Sequence, residues 1–305
     1  MTDAASDSAS DAGPHLRLQL HLAYDGTEFH GWAAQPGLRT VQGEIEAALA
    51  RVLRLDRPPR ITVAGRTDAG VHARAQVAHV DIPPAAWGHA LGWRRGASRP
   101  DEAIGLLTRR LNGVLGPDVR LKSIGLAPEG FDARFSAIAR RYCYRISDTP
   151  ASRDPVERGH VLWHIRPLDV SKMHDAAARF LGEHDFAALC RPRPGASTVR
   201  RVLEASVHRV GCGGPEADGG RIEIWVEADA FCHSMVRSMA GALVAVGEGR
   251  RPVEWIDSVL ASSERESAAN VLAPHGLTLE AVKYPPPAAL AATAQAHRAV
   301  RGPLH

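Results

Sequence analysis

"AGRTDAGVHARAQVAHV", residues Ala64–Val80, decides how the rest of the chain is read. Its one carboxylate, Asp68, sits between Arg66-Thr67 and Ala69-Gly70, with "RITV" before it and "QVAHVDI" after it. Both flanks read as strands, and the stretch between them as a tight polar connection. An Asp in a turn commonly bonds its own backbone. Three features point beyond that use. Arg66 is two residues away, able to pair with the carboxylate and keep it ionised. Ala69 and Gly70 leave room for close approach. Flanking strands would hold the group rigidly, as a reacting carboxylate needs. The order T-D-A-G occurs once, so a two-aspartate mechanism lacks its second carboxylate.

Working outward, "LRLQLHLAYDG" alternates and ends at a turn, a strand. "TVQGEIEAALARVLRL" places Val41, Ile45, Leu49 and Val52 on one helical face, with Thr40 as N-cap. "PPAAWGHALGWRRGASRP" reads as a loop, "DEAIGLLTRRLNGVL" as a helix and "DVRLKSIGLAP" as a strand. The second half repeats the rhythm. "RYCYRISD" is a strand, "DVSKMHDAAARFLG" a helix, and "TVRRVLEASVHRV" and "RIEIWVEADAF" a strand pair around a flexible "GCGGPEADGG". "HSMVRSMAGALVAVGEG" and "PVEWIDSVLASS" are helices, and "LTLEAVKY" is a last strand. The pattern predicts an α+β protein of two domains, with mainly antiparallel sheets flanked by helices. Residues 1–14 read as a disordered tail, 15–125 and 126–285 as the two domains, and 286–305 as a loose tail.

Composition fits a soluble globular chain: 305 residues, 45% apolar and 23% charged, with a net charge of +3. Of 37 basic residues only Lys122, Lys172 and Lys283 are lysines. Codon bias explains such a skew, yet arginine also binds phosphate bidentately and stacks on bases. Cys143, Cys190, Cys212 and Cys232 are far apart with no C-x-x-C, which argues against a zinc ribbon or thioredoxin-like site. No signal peptide, membrane-spanning run, phosphate loop or dinucleotide fingerprint is present, so a reducing cytoplasm is expected.

Other residues have two readings each. His72 and His79 fall on opposite faces of a strand if no bulge intervenes, and read as surface or polar-contact residues. "FDARFSAIARRYCYRI" interleaves Arg134, Arg140 and Arg141 with Phe135, Tyr142 and Tyr144. Alternation puts Tyr142 and Tyr144 on one face, either as plain sheet aromatics or as a base-stacking platform among phosphate-binding arginines. In "ADAFCHSMVRSMAG", Arg237 enters the first turns of a helix, against the helix dipole. It is a surface residue, or it is aimed at an anion, and Asp68 is the candidate.

With these residues in hand, the chain resembles the tRNA pseudouridine synthase A family. "YDGTEFHGWAAQPGLRTVQGEIEAAL", "AGRTDAGVHARAQVAHV", "FDARFSAIARRYCYRI", "LGEHDFAAL", "AFCHSMVRSMAGAL" and "LAPHGLTLEAVKYP" match its blocks in order and cover most of residues 16–285. The chain departs from the pattern at Ala33 and Ala34, where a Gln is usual, and at Ser238, where Asn is usual. Trp87–Pro100 looks like an insertion. The resemblance implies the pseudouridine synthase fold, with sheets joined between two domains. It implies an isomerase that converts uridine to pseudouridine at positions 38 to 40 of the tRNA anticodon arm, without cofactor or metal. Asp68 would be nucleophile or base. Tyr142 would stack on the base and assist proton transfer. Arg237 would pair with Asp68 or a phosphate, and Arg66 would orient Asp68. Arg134, Arg140 and Arg141 would bind RNA together with Tyr142. The partners implied are tRNA, recognised by shape, and a second copy of the chain, with no membrane. A catalytically silent RNA-binding protein on the same scaffold is the alternative.

Overall fold

A computed structural model describes residues 15–83, 86, 100–191, 195, 197–211, 220–262 and 270–298. The N-terminal tail, positions 87–99 of the insertion, the 212–219 link and residues 299–305 lie outside the described residues.

The first half of the chain supplies β1 (Leu16–Tyr24), β2 (Ile61–Val63), β3 (His72–Ile82) and β4 (Val119–Leu126). The second supplies β5 (Ala139–Ser147), β6 (Leu162–Trp163), β7 (Gly182–Asp185), β8 (Val199–Val210), β9 (Arg221–Ala228) and β10 (Leu277–Lys283). They form one ten-stranded sheet in the order β4-β1-β3-β10-β5-β9-β8-β7, with β2 on β3 and β6 on β5. Pairing is antiparallel except between β10 and β3 and between β5 and β6. The helices are α1 (Val41–Leu53), α2 (Pro100–Val114), α3 (Val170–Ala178), α4 (Met235–Gly247), α5 (Trp255–Ala261) and α6 (Leu290–Arg298).

Alternation sorts side chains onto two faces. Leu18, Leu20 and Leu22 of β1, Val80 of β3, Tyr144 of β5, Ile224 of β9 and Leu279 of β10 join one continuous core. Fully burying each such aliphatic side chain contributes about 1.5–3 kcal/mol. α1 enters this core at Val41, Ile45 and Leu49, with Leu53 rather than Val52 completing the stripe. Thr40 caps it, its hydroxyl accepting from Gly43 N at 3.3 Å. α4 is buried at every position from Met235 to Gly247 except Arg237. The other face carries charged side chains beside a small second apolar cluster around Val77, Phe131 and Leu290. There Arg145 donates to Glu280 at 2.7 Å, to Glu223 at 3.3 Å and to Thr278 at 3.3 Å.

β10 positions the site. It runs parallel to β3, with Leu279 opposite Ala73, and antiparallel to β5, with Leu279 opposite Tyr142. Tyr142 is therefore two strands across from the point where the chain leaves the Asp68 connection and enters β3.

Two expectations are corrected here. The segment after residue 285 is not loose over Leu290–Arg298. α6 buries Leu290 and Ala294, Ser136 Oγ donates to Leu290 O at 3.1 Å, and Arg298 pairs with Asp132 at 3.0 Å. Of the two readings of His72 and His79, the surface one fails and the polar-contact one holds: both are buried, and a register irregularity falls between them. Each ring accepts a backbone hydrogen bond at Nδ1, from Gly26 N at 3.0 Å and from Ala133 N at 2.9 Å.

Candidate active site

Asp68 lies in the connection Ala64–Val71 between β2 and β3, and that connection is pinned along its length. Tyr24 Oη of β1 lies 2.8 Å from Thr67 Oγ1. Burial pushes the Tyr24 hydroxyl up to about 12, so it stays protonated. Gln76 Nε2 donates to Gly65 O at 2.9 Å, Trp32 N to Thr67 O at 3.0 Å, and Gly70 N to Phe29 O at 3.2 Å. Thr67 points inward, which leaves Arg66 exposed and the Asp68 side chain 27% exposed.

Gly70 has φ +75°, and a Cβ there would lie 2.8 Å from Pro274 Cγ. The space expected beside Asp68 at Gly70 is thus filled by Pro274. The residues around Pro274 stitch the site together. Leu272 O accepts from Arg237 Nε at 2.7 Å, Ala273 O accepts from Tyr144 Oη at 2.8 Å, and His275 O lies 3.1 Å from His72 Nε2. Three elements distant in sequence are fixed against one another before any ligand arrives.

Arg237 comes from the first turn of α4. Its Nη1 donates to Asp68 Oδ2 at 3.3 Å, and its side chain is 17% exposed. A cation at a helix N-terminus is unfavourable alone, and the carboxylate beside it offsets that cost. Asp68 Oδ1 lies 3.2 Å from His233 Nε2. His233 is a site residue that reading the sequence missed. Its only signal is a spacing of four from Arg237, which is weak because the chain is not yet helical there. Arg66, expected to orient Asp68, is not an ion-pair partner: among the described residues the carboxylate pairs with Arg237 and His233.

Tyr142 is 7% exposed and packs edge-on against Phe231, with centroids 5.1 Å apart. Burial raises its hydroxyl above the ordinary phenol value, and the Asp68 charge adds to the shift. The hydroxyl makes no hydrogen bond among the described residues. Tyr144 shares its face as expected, but its hydroxyl is taken by Ala273 O.

The three arginines of the same block do not act alike. Arg134 is exposed and stacks on Phe135 at 4.9 Å. Arg140, expected to bind RNA, is buried. It donates to Ala137 O at 3.2 Å, Asp229 O at 2.6 Å, Ala64 O at 2.8 Å and Arg134 O at 2.9 Å. Burial lowers its pKa, and its donors are spent on the backbone. It ties the start of the Asp68 connection to the end of β9, so it is a positioning residue. Arg141 follows Arg140 and precedes Tyr142, so β5 points it to the opposite face from Tyr142. There it pairs with Glu204 at 2.9 Å and stacks on Trp225 at 4.4 Å, away from Asp68.

Cys190 and Cys232, far apart in sequence, are joined as a disulfide with Cα atoms 5.8 Å apart. Ser238 Oγ, where Asn is usual by resemblance, is buried without a hydrogen-bond partner among the described residues.

A family model described as tRNA pseudouridine synthase matches residues 176–285. tRNA pseudouridine synthase A of Frankia casuarinae is 54% identical over 288 residues, spanning 94% of this chain and 96% of that one. The protein of that name from Streptomyces griseus is 51% identical over 286 residues, spanning 94% of each chain. That from Cutibacterium acnes is 49% identical over 269 residues, spanning 88% of this chain and 89% of the other. With half of all positions shared along nearly the full length of both partners, the chain belongs to the tRNA pseudouridine synthase A family.

Proposed function

We propose that the chain isomerises uridine to pseudouridine in tRNA, at positions 38 to 40 of the anticodon arm. The observation that carries this is the meeting of Asp68, Arg237 and Tyr142, from a loop, a helix and a strand, around one partly exposed carboxylate. The reaction breaks the N1–C1′ bond, turns the uracil and joins C5 to C1′. The proton lost at C5 balances the one gained at N1, so no co-reactant is consumed.

Attack on the base, attack on C1′ and abstraction of a sugar proton all require an ionised carboxylate with a free oxygen. Arg237 pairs with the carboxylate and fixes its direction. Tyr142 offers a ring face and a protonated hydroxyl, which passes a proton on only by giving up its own. A target uridine has to leave its stack to reach Asp68. Exposed arginines such as Arg66 and Arg134 suit the backbone of a folded RNA, read by shape more than by base edges. A homodimer and a cytoplasmic location belong to the same reading through family resemblance. No helix among the described residues is long and apolar enough to cross a membrane.

The test is chemical mapping of pseudouridine in tRNA incubated with the protein and with Asp68→Asn, with affinity measured in parallel. The parent should convert uridine, while Asp68→Asn binds as tightly and converts none. An active Asp68→Asn overturns the assignment. A parent that binds tRNA without product would make it a silent RNA-binding protein.

A further inference from the structure

The two oxygens of Asp68 are held unequally. Oδ2 faces Arg237, whose Nε donates to Leu272 O at 2.7 Å and whose own carbonyl accepts from Leu272 N at 3.3 Å. Arg237 is thus braced at its guanidinium and at its backbone, and its side chain is largely buried. Oδ1 faces His233, whose side chain is 44% exposed. Among the described residues the His233 ring has no other partner, and only its backbone carbonyl is held, by Arg191 N at 3.0 Å. Ser234, next in the chain, takes a left-handed conformation with φ 65° and ψ 4°, so the chain turns sharply between His233 and α4.

A carboxylate that attacks or abstracts a proton needs one oxygen free. With Arg237 braced, Oδ1 is the oxygen that can be released. We propose that His233 is a displaceable cap on Asp68 Oδ1: it holds the carboxylate in the free protein, and the incoming nucleotide must push it aside. This rests on Asp68 being the reacting group. The contact is an ion pair only when the imidazole carries its proton, so the cap closes more tightly in acid. The charged groups set against it are Asp68 itself and Arg237 across the carboxylate. Arg237 keeps its charge throughout, so the change in closure comes from His233.

A cap competes with substrate. It multiplies the apparent affinity by the fraction of molecules left open, and a cap closed nine times in ten weakens binding about tenfold. Turnover at saturating RNA is untouched. A residue that merely supports the fold would move neither a pH profile nor KM alone.

The experiment compares the parent, His233→Gln and His233→Phe on an anticodon-arm RNA, between about pH 5 and 8, where histidine changes charge. Thermal unfolding checks that each variant is folded at each pH. In the parent, KM should rise on the order of tenfold towards acid while kcat holds. Both variants should show a flat KM, at or below the parent value in acid. Variants slower than the parent at every pH would overturn the proposal, because the imidazole would then be assisting the chemistry. A parent KM that does not change with pH, or variants that keep the parent's profile, would also overturn it. Asp68→Asn is run alongside. If that variant is active, it is the assignment of Asp68 that has failed, whatever the His233 variants do.

Discussion

Gly70→Ala tests whether the site depends on the closeness of the Asp68 connection to Pro274. At φ +75° a non-glycine residue costs about 1–2 kcal/mol. The new Cβ would stand 2.8 Å from Pro274 Cγ and 3.3 Å from Pro274 Cβ. Overpacking of that kind costs about 1–3 kcal/mol. Alanine also narrows the unfolded ensemble, which offsets about 0.4–1 kcal/mol. The net expectation is a loss of about 2–4 kcal/mol in urea unfolding. Pro274→Ala removes the Cγ but not the Cβ or the φ cost, so the double variant should regain only the Cγ share, about 1 kcal/mol. Single-turnover conversion should fall further than stability does, because Asp68 is two residues away. A displacement near 1 Å can cost about a hundredfold in rate. If Gly70→Ala stays within about 0.5 kcal/mol of the parent and keeps its rate, the close approach is irrelevant. If Pro274→Ala gives no recovery, the clash is not the cause.

Tyr142→Phe should bind RNA like the parent and lose about 10²–10⁴-fold in single-turnover rate, the usual share of a proton-transfer group. A rate equal to the parent's would leave Tyr142 as a stacking surface only. Arg140→Met leaves the carbonyls of Ala64, Arg134, Ala137 and Asp229 without their donor, and should cost about 3–5 kcal/mol in urea unfolding while RNA affinity holds. Arg134→Ala should do the reverse, lowering the salt slope of binding by about 0.7–0.9. A stable Arg140→Met that binds RNA weakly would return Arg140 to the RNA surface. Stability should fall as the solution is acidified below about pH 6.5. Burial is the largest influence on His72 and His79 and lowers both pKa values, although Asp25 lies 3.0 Å from His72 and pulls the other way. The unfolded chain therefore takes up these protons first. The stabilisation is complete above the unfolded value and is lost as pH drops towards the folded one, at up to about 1.4 kcal/mol per pH unit for each ring. Urea titrations from neutral to mildly acid pH read it, and a stability that rises on acidification would contradict the neutral rings.

Much of this was legible in local pattern. The alternation of β1, β3, β5 and β9, and the helical stripe of α1, follow from side-chain period alone. The cation in the first turn of α4 needed an anion, and Asp68 lies beside it. What stayed hidden has physical reasons. β6 has only two residues, Leu162–Trp163, too few to show a period. α6 follows three prolines and is rich in alanine, and what fixes it is docking near Phe131, which no local window contains. Residue type names a charge but not its surroundings, so Arg140 and Arg141 read as RNA contacts although one is spent on backbone carbonyls and the other on Glu204. Arg66 is near Asp68 in sequence, yet Thr67 turns inward between them. His233 meets Asp68 only because the chain folds back over some 165 residues, about the separation of Arg237 from Asp68.

The strand made last fills the middle of the sheet. While the chain is being translated, β3 and β5 are both out before β10, each with an edge waiting for a partner that is still inside the ribosome. At about 5–20 residues per second, the wait from the end of β5 to the start of β10 lasts several seconds to half a minute. Open edges invite pairing with other chains. The nascent protein is thus open to mispairing at these edges until β10 emerges. A premature stop ahead of Leu277 would do more than shorten the product: it would leave two half-sheets without the strand that pairs them, and Tyr142 with no row to share with Ala73.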